Sequence, residues 1–107
     1  MIPARLQQLL SFLETAPTDS FTLYSVAYEY LSLGETETAI KYFQQLKSLH
    51  PEYIGTYYHL GKALEKSGDK TTAAEIYQSG IDMANKLRDR HALAELQTAF
   101  NELLYED

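Results

Sequence analysis

The chain has 107 residues, no cysteine, no tryptophan, nine tyrosines and a formal net charge of −6. That length holds one domain, burying roughly two-thirds of its unfolded surface, and the lack of thiols excludes a disulfide framework or a thiolate metal site and suits a reducing, cytoplasmic setting. The acidic balance, with no run of Lys and Arg, argues against nucleic acid as a partner, and no stretch approaches the ~18 apolar residues of a membrane-spanning helix.

In chain order, the first expected helix covers residues 3–15. Ile2, Leu6, Leu9 and Leu13 share one face, Leu10 and Phe12 broaden it, and Pro3 suits the first turn. Arg5 interrupts the apolar pattern near the N-terminus, where a secretory signal would keep an unbroken apolar run. A second helix is expected over 19–33, with Leu23, Val26, Ala27 and Tyr30 as its core stripe. Phe21, Tyr24, Tyr28 and Leu31 form another apolar stripe on the same helix, interrupted only by Thr22, Ser25, Glu29 and Ser32. A helix that is apolar nearly all round is expected to be covered on every side.

Gly34 suits a left-handed helix end, and Glu35-Thr36 offers acidic and hydroxyl groups to the next start. The third helix, over 36–49, carries Ala39, Ile40, Phe43 and Leu46, and Pro51 stops it. The fourth, over 52–67, has Tyr57, Leu60, Gly61 and Leu64; Gly68-Asp69 supplies the turn and cap. The fifth, over 70–87, places Ala73, Tyr77, Gly80, Ile81 and Ala84 in one stripe. Small residues at Ala27, Gly61, Ala73 and Gly80 allow close helix approach. The sixth, over 90–105 and starting at Asp89 or Arg90, turns Leu93, Leu96, Phe100 and Leu103 one way and Glu95, Gln97, Thr98, Asn101 and Glu102 the other. Such a helix caps a stack against water. No strand is expected.

Shifting the chain by 34 residues brings Tyr24 onto Tyr58, Gly34 onto Gly68, Ala39 onto Ala73, Phe43 onto Tyr77 and Gln44 onto Gln78. The second unit reads Tyr57-x2-Leu60-Gly61-x2-Leu64, then Ala73-x3-Tyr77; the first reads Leu23-x2-Val26-Ala27-x2-Tyr30, then Ala39-x3-Phe43, then Pro51. This resembles the tetratricopeptide repeat, whose pattern is W-x2-L-G-x2-Y, A-x3-F and P over about 34 residues. Asn85 departs from it, standing where proline is usual. The resemblance implies an all-α, right-handed superhelical stack of antiparallel helix pairs, about six helices in a single domain. In that register, residues 1–16 are a half-repeat, 17–51 and 52–87 are whole repeats, and 88–107 are a capping helix.

The resemblance also implies a protein–protein interaction module or adaptor. The first helix of each pair lines the concave surface in this family, so Phe21, Tyr24, Tyr28 and Leu31 fall there, followed by Tyr58, His59, Lys62, Glu65 and Lys66. The expected site is an aromatic groove that turns charged at one end and takes a protein or peptide segment. A homodimer through the same stripe is the alternative, and cover by the chain's own helices is a third. Some relatives clamp a chaperone's C-terminal carboxylate with fixed cations; Tyr24, Tyr28 and His59 cannot do so, leaving only Lys62 and Lys66.

Nothing points to catalysis, a metal or a cofactor. His50, His59 and His91 lack ligand spacing, and there is no nucleophile elbow or phosphate-binding glycine loop. Glu65 and Glu75 are expected on wetted helix faces, and the i,i+4 pairs Glu65–Asp69 and Lys62–Lys66 are not complementary.

Overall fold

The computed structural model describes residues 2–105. Six helices follow one another: α1 (Ala4–Thr15), α2 (Ser20–Ser32), α3 (Thr36–Leu49), α4 (Gly55–Lys66), α5 (Lys70–Leu87) and α6 (Arg90–Leu104). There is no strand among the described residues. Consecutive helices pack on one another, and α4 also touches α2 and α6. The three leading helices α2, α4 and α6 therefore lie side by side in a right-handed stack of antiparallel pairs.

Aspartates start three of the helices. Asp19 Oδ2 accepts bonds from the Thr22 backbone N–H (2.9 Å) and hydroxyl (2.6 Å). Asp69 accepts from Thr72 N (3.1 Å) and Asp89 from Ala92 N (3.0 Å). Each satisfies a backbone donor that the first turn leaves open, and the bonds hold the Asp19 and Asp69 carboxyls below their ordinary pKa. The start expected at Glu35-Thr36 differs, because no side-chain bond caps α3.

The helix ends follow the glycines. Gly34 (φ 81°) and Gly68 (φ 93°) reverse the chain, so that Glu35 N–H reaches Tyr30 O and Asp69 N–H reaches Leu64 O, both at 2.9 Å. Arg88 does the same at φ 58°, with Asp89 N–H on Ala84 O at 2.9 Å. Asn85, unlike a proline, keeps its N–H, and α5 runs 18 residues against 14 for α3. The α3–α4 junction departs from expectation, for α4 begins at Gly55 and not near 52. His50 has left the helical region (φ −137°, ψ 71°), which a following proline disfavours. The following turn is closed by Tyr53 N–H on His50 O (3.0 Å) and the Tyr57 hydroxyl on Pro51 O (2.5 Å).

Two glycines let α4 and α5 pack closely. The buried Tyr77 ring lies where a side chain on Gly61 would be, and Tyr57 does the same over Gly80. Each tyrosine thus fills the gap left by a glycine on the facing helix. At the other end, fully buried Leu6 anchors α1 on α2, and Arg5 Nε meets Glu29 Oε2 at 3.1 Å. That pair marks the side of α2 that α1 covers. Ser25, one turn before Glu29, and Thr22 are buried there, so these two polar residues belong to a helix contact.

Candidate peptide-binding face

The leading helices bring an aromatic cluster together around His59 on α4. The imidazole lies 5.7 Å from the Tyr24 ring, 5.4 Å from Tyr28 and 5.4 Å from Tyr58, all edge-on. It stacks nearly parallel on Phe43 at 6.2 Å, and Phe43 is fully buried. Tyr24 also meets Tyr28 (6.3 Å) and Tyr53 (5.5 Å). His59 therefore joins α2 to α4 and rests on the core. Burial lowers its pKa, and the carboxylate of Glu95 opposes that shift. Burial raises the pKa of Tyr24.

The predicted stripe divides into covered and open parts. Tyr24, Leu31, Tyr58 and His59 are half-buried, whereas Tyr28 keeps 44% and Phe21 63% of its surface exposed. Phe21 makes no ring contact with the cluster among the described residues. At the charged end, Lys62 Nζ lies 5.6 Å from the Tyr58 ring centre and 3.9 Å from Glu65 Oε2. Lys66 is exposed and forms no ion pair among the described residues.

Glu65 corrects an expectation. It does not stand on a wetted face: its side chain is 20% exposed and accepts a hydrogen bond from the Tyr77 hydroxyl. With burial, that carboxylate raises the Tyr77 pKa. The complementary partner of Lys62 is Glu65 at i+3, a spacing that an i,i+4 search passes over.

Sequence reasoning missed the contribution of α6. A cleft of about 290 Å³ opens between α4 and α6, lined by Tyr58, Lys62, His91, Glu95, Thr98 and Glu102 among others. The signal was present: α6 takes the leading-helix place, and a 36-residue shift sets buried Ala92, Leu96 and Ala99 on Thr56, Leu60 and Ala63. That shift puts Glu95 level with His59. A second cleft, of about 420 Å³, lies at the α2 side between Tyr24, Glu52, Tyr53, Ile54 and Gly55.

The tetratricopeptide repeat model matches residues 22–53 and 54–87, more than half of the chain. The chain belongs to the tetratricopeptide repeat (TPR) family. A TPR domain protein from Salinibacter ruber, solved by crystallography, is 36% identical with a TM-score of 0.77, over 81% of this chain and 98% of that one. A Bordetella parapertussis protein superposes with a TM-score of 0.85 over 99% of this chain and 92% of its own; at 23% identity it speaks for the fold alone. A tetratricopeptide repeat and J domain-containing co-chaperone of Fusarium oxysporum is 36% identical over 61 residues. The TPR chain spans 57% of its own length in that match and 12% of the co-chaperone. TPR repeats are protein–protein interaction modules. No helix among the described residues of this one is long and apolar enough to cross a membrane.

Proposed function

We propose that this TPR protein binds a segment of another protein along the face formed by α2, α4 and α6. The observation that carries this reading is the His59 cluster: Tyr24, Tyr28 and Tyr58 meet on one imidazole, while Phe21 and Tyr28 remain open beside them. Tyrosine offers a large contact area at low entropic cost and one polar handle. The imidazole on which they meet is stacked on buried Phe43, so little ordering of the receptor is needed on binding. Apolar side chains of the partner settle against Phe21, Tyr28 and the half-buried Tyr24, Leu31 and Tyr58. Lys62, Lys66 and Glu65 set its orientation near the cleft that Glu95 and Glu102 border. Without a third fixed cation among Tyr24, Tyr28 and His59, a chaperone-type terminal carboxylate is a poor ligand here. The absence of cysteine from the sequence suits a reducing, cytoplasmic setting for such an adaptor.

The test uses residues that truncation spares. Phe21→Ser with Tyr28→Ser removes exposed rings, so helicity should hold while partner capture is lost. The homodimer reading draws on the same two exposed rings. Light scattering after size exclusion separates the readings: a monomer at all concentrations supports the groove, and a dimer abolished by the same variant supports self-association.

A further inference from the structure

We propose that Arg88 and Arg90, at the α5–α6 turn, form a second docking patch that takes an acidic segment of a partner protein through its carboxylates. The patch is local to an otherwise acidic chain. Lys86, Arg88 and Arg90 supply three of the nine Lys and Arg within five positions, in a protein of net charge −6. All three are exposed, and none forms an ion pair among the described residues. A cleft of about 250 Å³ lies beside the two arginines, lined by Ala84, Asn85, Arg88, Asp89, Arg90 and Leu93.

The fold accounts for Lys86, which meets the negative end of the α5 dipole in its last turn. The same end of the dipole favours the charge of Arg88, the C-cap of α5, but the fold accounts neither for the backbone that Arg88 adopts nor for Arg90. Arg88 holds φ 58°, the one positive φ outside glycine among the described residues, whereas the other two reversals use Gly34 and Gly68. An L side chain is disfavoured there. Arg90 is the first residue of α6, at the positive end of its dipole, where an anion is favoured and a cation is not. Asp89 between them is already engaged, with Oδ1 capping Ala92 N at 3.0 Å. Arg88 thus bears a backbone cost and Arg90 an electrostatic one, neither forms an ion pair among the described residues, and both border a cleft.

Charge complementarity decides the occupant. Guanidinium forks match carboxylates two bonds at a time. The net negative charge of the chain weakens an anionic segment's approach elsewhere, and three cations within five residues favour this turn. Fluorescence anisotropy of a dye-labelled hexaglutamate peptide at low salt tests the proposal. The wild type should bind it, with affinity falling steeply as salt rises, and Arg88→Gly with Arg90→Gln should weaken binding at least ~10-fold. Phe21→Ser with Tyr28→Ser should leave this binding unchanged, which keeps the patch separable from the aromatic face. Arg88→Gly alone should raise Tm by a few degrees while weakening capture, a combination that a structural role for the arginine does not give. Equal hexaglutamate affinity in the double variant would overturn the proposal. So would a fall in Tm on Arg88→Gly, or tighter binding of an oligothymidylate of equal charge.

Discussion

Gly61→Ala probes the packing that holds the aromatic face in place. A Cβ on Gly61 would lie 2.2 Å from Tyr77 Cε1, 2.6 Å from Cζ and 2.7 Å from Cδ1, all far inside van der Waals contact. The ring cannot easily retreat, because Tyr77 is fully buried and its hydroxyl is bonded to Glu65. Alanine in a helix interior otherwise gains about 1 kcal/mol over glycine. Overpacking a dense core costs about 1–3 kcal/mol, and three such contacts put this site at or above the top of that range. The net loss should be about 2 kcal/mol, a fall in Tm of roughly 8–15 °C for a domain of this size. Gly55→Ala is the control: its Cβ would meet Tyr24 Cε1 at 3.5 Å, an ordinary contact, so stability should hold or rise slightly. Urea denaturation followed by circular dichroism measures both. If Gly61→Ala were as stable as Gly55→Ala, the close fit of α4 on α5 would be wrong.

Other substitutions test separate parts of the same account. Thr56 Oγ1 is buried without a hydrogen-bond partner among the described residues, so Thr56→Val should stabilise by about 1 kcal/mol in the same urea experiment, and a loss would reveal an unseen partner. Gly34→Ala and Gly68→Ala should each cost about 1 kcal/mol through their positive φ alone, since a Cβ at either meets nothing within 4 Å. His59 titrates below its ordinary value in the fold, so the unfolded chain takes up its proton first as pH falls. Stability should then drop as pH descends through about 6.5, and Tm should be lower near pH 5.5 than near 7.5. His59→Phe should remove that part of the slope; an unchanged slope would place the titration elsewhere. The lowered Asp19 and Asp69 carboxyls act only at more acid pH, where their protonation removes stability.

Periodicity made most of this fold legible because the core residues and turn glycines are local signals. Leu23, Val26, Leu60, Ala73 and Tyr77 are all buried as their spacing implies, and Gly34 and Gly68 stand where the chain reverses. The boundary at α4 was not legible, because the turn at 51–54 is closed by a Tyr57 hydroxyl bond that no local pattern announces. Nor was the burial of Thr22 and Ser25, which depends on where α1 lies against α2. The candidate face was readable as a stripe on α2 and a matching row on α4. Its hub was not, since His59 acquires its meaning only when Tyr24, Tyr28 and Phe43 arrive from other helices. Glu65 shows the same limit: its tie to Tyr77 spans α4 and α5. The polar side of α6 read as a cap facing water, yet Glu95, Thr98 and Glu102 border a cleft shared with Tyr58.

The most direct test of partner binding compares affinity capture from native cell extract by the wild type and by Phe21→Ser with Tyr28→Ser, read by mass spectrometry. Circular dichroism on both samples establishes that they are equally folded. A protein retained by the wild type and absent from the equally helical variant is the expected result. Identical captured sets from the two would contradict the role assigned to the aromatic face.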